Sequence, residues 1–251
     1  MSFFRPFLSS PFHPLPLLLF PDNPFTYNSN IDLEIPSTQS FSTTSYQTRS
    51  LWAEKLDRLS VSGATPQNLT VLYTSIAHTL VYPYEIHEFV SQDAEGEGEG
   101  EGKGKGEWQY YSGYLNQPTP GLSYSGFSLW DTFRAQTAWL LLLSPSVVPS
   151  MLASMLQDFR EGGRLPMWKN LVETNIMVGT HADAVLAQAM EVGIKDFGGF
   201  GKDEVWEAVR EDAFTPPERD TELRYALPLF PPSFSFFLSF SKHWDIKEKQ
   251  F

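Results

Sequence analysis

Six stretches between Ser50 and Ala213 bring apolar residues round every three or four positions, and glycine or proline separates most of them. The spacing predicts helices over Ser50–Leu59, Pro66–Val81, Asp131–Leu143, Val147–Glu161, His181–Val192 and Lys202–Ala213. In the first, Leu51, Trp52, Lys55, Leu56 and Leu59 share a face, and Ser50 stands at the N-cap position. Thr65-Pro66 opens the second, because proline fits the first turn where its missing N–H is not needed. Tyr82-Pro83 ends it, since the residue before a proline is pushed out of the helical region. Gly162-Gly163 stops the fourth. Helices in consecutive pairs imply an all-α fold class, either a solenoid or a closed toroid, and periodicity alone does not separate the two.

Two kinds of segment interrupt this pattern. Residues 93–107 are dominated by EGEGEGEGKGKG, which has nothing to bury and is expected to form a flexible, charged loop. Trp108–Tyr114 and Ser123–Leu129 are short aromatic runs of strand character, so a hairpin-bearing excursion is expected between the helices. Residues 1–45 are rich in Ser, Thr, Pro and Phe without a period, and are expected to be extended or disordered. Residues 46–226 form the helical domain. Residues 227–251 alternate Pro, Phe, Ser and Leu with neither a helix face nor a strand alternation. They are expected to be an aberrant tail, such as translated intron sequence, which the spliced transcript around codon 226 would check.

Composition narrows the chemistry. The net charge is −12, and no Lys/Arg cluster offers the basic face that a phosphate backbone needs, so no nucleic-acid partner is expected. The absence of cysteine excludes disulfides, thiolate zinc sites and cysteine nucleophiles. No run of 18 apolar residues exists, so no transmembrane segment is expected. Near the N-terminus, the run from Leu15 to Phe20 is broken by prolines and is short for a secretion signal, which leaves localisation unassigned.

Three clusters carry candidate chemistry. Trp130-Asp131-Thr132-Phe133-Arg134 joins an aromatic face, which suits a sugar ring, to a carboxylate and a guanidinium that hydrogen-bond hydroxyls directionally. The same residues also suit a purely structural role, with Asp131 capping a helix and Arg134 pairing with it three positions on. Arg164 and Trp168 lie on a loop after the Gly-Gly stop, a composition equally suited to binding or to a buried tryptophan. Glu173, Thr174 and His181 form the third cluster, with Asn175 and Asp183 close by. The spacing matches no zinc motif. Asp131 and Glu173 offer a carboxylate pair for glycoside hydrolysis, but their separation in space does not follow from the sequence. His78 lies within the second helix and is expected to be packed rather than catalytic.

The three clusters, in this order, resemble glycoside hydrolase family 92. They read W-D-T-F-R at 130–134, G-R-L-P-M-W at 163–168 and E-T-N-I-M-V-G-T-H-A at 173–182. The resemblance runs over about 30–226, beginning near NIDLEIP at 30–36. It implies an incomplete (α/α)6 toroid of about six helices. It also implies a calcium-dependent exo-α-mannosidase acting by inversion on mannose-terminated glycans, largely at α-1,2 linkages. The family's general acid lies in a segment resembling E-G-N-x-W-Q-Y and its general base in one resembling G-N-D-D-x-G, and neither string occurs here. The resemblance therefore assigns no catalytic carboxylate and no calcium ligand to this chain. It implies a substrate-binding set of Trp130, Asp131, Arg134, Arg164, Trp168, Glu173, Thr174 and His181. About half a toroid would also leave apolar faces open, so poor solubility is expected.

Overall fold

The computed structural model describes residues 35–91, 106–177 and 179–215. Helix α1 spans Phe41–Leu56 and α2 Pro66–Thr79. Short strands follow: β1 (Tyr84–Glu85), β2 (His87–Ser91), β3 (Gly106–Ser112), β4 (Gln117–Pro120), β5 (Tyr124–Ser125) and β6 (Phe127–Ser128). Helices α3 (Leu129–Thr132), α4 (Gln136–Leu143) and α5 (Val148–Gly162) come next, then β7 (Trp168–Lys169), α6 (Ala182–Glu191) and α7 (Lys202–Phe214).

An all-α class is thus too simple. The described residues hold seven α-helices together with three small antiparallel sheets, ordered β1-β5, β2-β3-β4 and β6-β7. The expected hairpin excursion is the β2-β3-β4 sheet, in which His87 pairs with Tyr110 and Tyr110 with Thr119. Gly106 and Glu107, expected in the charged loop, belong to β3, and 93–105 lies outside the described residues. So do residues 1–34 and the 227–251 tail.

Two helix boundaries differ from the periodic reading for identifiable reasons. Helix α1 begins at Phe41, inside the segment expected to be extended or disordered. Ser40 is its cap, accepting the Thr43 N–H at 3.2 Å, while Ser50 sits inside the helix with its hydroxyl donating back to the Tyr46 carbonyl. Serines and threonines start a helix by capping and so leave no apolar period to detect. No α1 residue is buried, and Leu51 is exposed.

The helix predicted over Asp131–Leu143 is broken into α3 and α4 at Phe133–Ala135. Ala135 leaves helical geometry at φ −120°, ψ −48°. The break lets the Gln136 side chain donate to the Thr79 carbonyl at 2.7 Å and lets Phe133 stack on His181. Tertiary contacts of this kind outweigh the helical propensity of a few residues.

The core lies between α4, α5, α6 and α7. Leu152 and Leu156 of α5, Leu186 of α6, and Val205 and Ala208 of α7 are fully buried. α5 is the central helix, placing its apolar stripe against α6 and α7. Its other face meets the small sheets: Tyr124 N–H donates to Ser154 Oγ at 2.9 Å. No single helix among the described residues is long and apolar enough to cross a membrane.

Candidate functional site

The three sequence clusters, more than thirty positions apart at their extremes, are knotted together by backbone pairing. β6 leads directly into the W-D-T-F-R segment and pairs with β7, so that Phe127 faces Lys169 and Ser128 faces Trp168. Leu129 N–H donates to the Met167 carbonyl at 3.1 Å, carrying the ladder on into α3. The Glu173 carboxylate holds the G-R-L-P-M-W loop from the other side. Its Oε2 accepts the N–H groups of Met167 (2.6 Å) and Trp168 (3.1 Å), and its Oε1 accepts that of Asn175 (2.6 Å). Thr174 Oγ1 donates to the Trp168 carbonyl at 2.7 Å. The half-buried Tyr114 hydroxyl accepts the Glu173 N–H at 2.8 Å, and desolvation holds that phenol well above its ordinary range, so it stays protonated.

Arg164 turns away from this knot. Its guanidinium lies 3.2 Å from buried Asp212 on α7 and donates to the Thr215 carbonyl, tying the loop to the last helix. Arg134 does not pair with Asp131. It donates to the Trp130 carbonyl at 3.0 Å and lies over the Trp130 and Phe133 rings, 4.8 and 4.5 Å from their centroids. Asp131 instead accepts the Ser128 hydroxyl at 2.5 Å and is exposed.

His181 closes the arrangement from α6. Its ring stacks on Phe133 at 4.2 Å and meets Trp130 at 5.4 Å. The ring fits because residue 179 is glycine: a Cβ there would lie 2.5 Å from His181 Nε2, on a backbone with φ +78° that disfavours side chains. Gly179→Ala is therefore expected to cost about 1–3 kcal/mol and to loosen the Phe133–His181 stack. A thermal melt, together with the His181 ring shifts in an NMR spectrum, measures both. Asp183, in the first turn of α6, is pushed up by burial.

An open cleft of about 1230 Å³ lies beside the knot. Asp131, Trp168, Thr132 and Trp139 line one side, and Tyr82, Tyr84 and His78 contribute to the other. His78, expected to be packed, is exposed and belongs to this wall. Of the eight sequence candidates, only Asp131 and Trp168 reach the cleft lining. Trp130, Arg134 and His181 stack beside it, while Glu173, Thr174 and Arg164 hold the loop. Among the described residues, no three His, Asp or Glu side chains come together in a way that could hold a metal ion.

Periodicity and motif spacing miss the group behind the site. Lys169 is 2% exposed, and its ammonium lies 2.6 Å from Asp158 Oδ1 on α5 and 3.2 Å from Ser123 Oγ. Successive residues of a strand point to opposite sides, so Lys169 turned inward puts its neighbour Trp168 on the cleft side. The only sequence signal is a lysine directly after the tryptophan of the second cluster, and lysines are exposed by default.

Residues 27–230 match the glycosyl hydrolase family 92 catalytic domain. No curated protein sequence is matched by the chain. Among solved structures, the chain is similar to the family GH92 inverting mannosidase BT2199 of Bacteroides thetaiotaomicron, with a TM-score of 0.63 and 26% identity over 72% of this chain. It is similar to the GH92 α-mannosidase BT3965 of the same organism in complex with mannoimidazole, with a TM-score of 0.58 and 25% identity over 75% of this chain. A second structure of BT3965 shares the fold at a TM-score of 0.60 and 24% identity over 80% of this chain. The chain spans 22–24% of the length of these structures. With four-fifths of its residues inside the matched region and the same fold in these neighbours, the chain belongs to glycosyl hydrolase family 92 and covers part of that family's catalytic domain.

Proposed function

We propose that this chain supplies one wall of a mannose-binding cleft in an α-mannosidase of the family. The observation that carries the proposal is that Asp131 and Trp168, from two separate motifs, line the same open cleft. A pyranose presents an apolar C–H face and a rim of hydroxyls. Trp168 offers a flat apolar surface for the first, and the exposed Asp131 carboxylate accepts hydrogen bonds from the second. Trp130, Phe133, Arg134 and His181 form a stacked support beside them. Glu173, Thr174 and Arg164 act as positioning residues rather than ligands to the sugar, because their polar atoms already serve backbone groups and Asp212.

Glycoside hydrolysis with inversion needs one carboxylic acid to protonate the leaving oxygen and one carboxylate to activate water across the ring. The Glu173 oxygens accept backbone N–H groups, which suits an ionised acceptor and not a proton donor. Glu173 is therefore not assigned the role of acid: its oxygens are already taken up by the loop, and the family resemblance implies both acid and base in segments outside these motifs. The (α/α)6 toroid and action on α-1,2-linked mannose of mannose-terminated glycans are part of the same proposal. Calcium is implied by the family, and among the described residues no cluster of three His, Asp or Glu side chains offers it a site.

The test is calorimetry of the purified chain with methyl α-mannopyranoside. Binding is expected, without release of mannose from α-1,2-mannobiose. Asp131→Ala, which removes a charged acceptor, is expected to weaken binding by about 10–100-fold, and Trp168→Ala by about tenfold. Circular dichroism should stay unchanged in both. Turnover by the chain, or binding indifferent to both substitutions, defeats the proposal.

A further inference from the structure

The cleft holds more aromatic surface than one hexose can use. At about 1230 Å³ it exceeds the ~300–1,000 Å³ that usually encloses a drug-sized ligand. Asp131 and Trp168 account for one part of its lining. The other part is a corner made by two tyrosines outside all three motifs. Tyr82 and Tyr84 meet edge to face, with centroids 5.6 Å apart and planes at 74°. Both remain open, at 50% and 40% exposure.

The corner is held in place. Gly126, between β5 and β6, leaves the room that both rings occupy: a Cβ there would fall 2.5 Å from Tyr82 Cδ1 and 2.9 Å from Tyr84 Cε1. Gly126 N–H donates to the Lys169 carbonyl at 3.0 Å, so the floor under the rings is the same β6-β7 unit that carries Trp168. The Tyr82 carbonyl accepts from Gln136 Nε2 at 2.5 Å, and the Tyr84 hydroxyl donates to Asn170 Oδ1 at 3.4 Å. Asn170 also lines the cleft, two positions after Trp168. Rings fixed before a ligand arrives lose little freedom on binding it.

We infer that Tyr82 and Tyr84, with the Asn170 amide beside them, form a second hexose subsite next to the one lined by Asp131 and Trp168, so that the cleft takes a mannose disaccharide. The inference rests on the preceding proposal and extends it to the adjoining sugar. An apolar peptide would also find flat rings here, but a carboxylate and an amide interleaved with the aromatic faces match a ring that alternates C–H patches with hydroxyls. The two tyrosines would act as specificity-determining residues, setting how the disaccharide is favoured over the single sugar.

Calorimetry on the full chain compares methyl α-mannopyranoside with α-1,2-mannobiose. The disaccharide is expected to bind at least about tenfold tighter, the scale of one good aromatic contact. Tyr82→Leu, which keeps apolar bulk but removes the flat face, and Tyr84→Leu are each expected to erase most of that difference while leaving the monosaccharide affinity unchanged. Tyr84→Phe should keep the stacking and serves as the folding control. Equal affinities for the two sugars in the wild-type chain, or a difference that survives both leucine substitutions, overturns the second subsite and leaves the first intact. Binding of neither sugar removes the mannose-cleft proposal and this one together.

Discussion

Methionine in place of Lys169 is expected to lower the stability of the folded chain by about 3–5 kcal/mol, read as a fall in the urea midpoint at pH 8. Lys169 and Asp158 are 2% and 3% exposed, and their charged atoms lie 2.6 Å apart. Removing one partner leaves the other charge in a place that water does not reach. Burial pushes the Asp158 carboxyl from its ordinary 3.8 up to about 7, against the pull of Lys169. The folded value is above the unfolded one, so the contribution of Asp158 to stability is fully present below about pH 4 and is lost as the pH rises through 7. Lys169→Met should accordingly cost least in acid, where Asp158 takes up a proton, and most above pH 7. Asp158→Asn should show the opposite trend, because it removes the proton uptake by which Asp158 supports the fold in acid. The double variant Asp158→Leu with Lys169→Met, which replaces the pair by apolar groups of similar size, is expected to recover most of the loss. Penalties that do not change with pH, or a double variant as weak as the worse single one, would show that the pair is solvated in solution.

The parts of the fold that could be read from the sequence are those governed by local rules. α5, α6 and α7 end within one residue of their periodic stretches, because local signals bound them: Gly163 caps α5 in the left-handed region, Gly193 follows α6, and α7 is entered at Gly201 and followed in sequence by Pro216-Pro217. α1 was legible only in its second half. Its first half is made by hydroxyl capping and by Ser and Thr side chains bonding back to the helix, which leave no apolar rhythm. The break between α3 and α4 was not legible, because its cause lies in contacts with Thr79 and His181, 57 and 48 positions away from Gln136 and Phe133. Short strands such as β6 and β7, two residues each, carry no period at all, yet they place Ser128 beside Trp168.

The site divides along the same line. Motif order picked out residues that meet in space, but it could not sort those facing the cleft from those behind it. Glu173 and Arg164 have the chemistry of sugar ligands, and the folded chain uses that chemistry on its own backbone and on Asp212. Tyr82 read only as the end of a helix, and Tyr84 carried no signal at all. The Gly126 floor that makes them a corner lies between β5 and β6, about forty positions later.

Glu173→Gln tests this sorting most directly, because it keeps the shape of the side chain and changes only what its oxygens can accept. The amide turns at least one N–H group toward backbone N–H donors that now meet an oxygen: those of Met167 and Trp168 on one side, or that of Asn175 on the other. The first orientation strands two donors and the second only one, so the substitution is expected to cost roughly 1–4 kcal/mol, at about 1–2 kcal/mol for each donor. The loss should concentrate in the segment Glu173 holds, so hydrogen exchange at the amides of Met167, Trp168 or Asn175 is expected to rise more than exchange in the core of α5. Because the loop that presents Trp168 is then held less firmly, by the β6-β7 pairing and Thr174 alone, mannoside affinity should fall with it, by no more than in Trp168→Ala. A direct ligand role for Glu173 predicts a different outcome: weakened sugar binding with loop amides as protected as in the wild-type chain. Comparing exchange and affinity in the same variant therefore decides whether this carboxylate touches the sugar or shapes the loop that does.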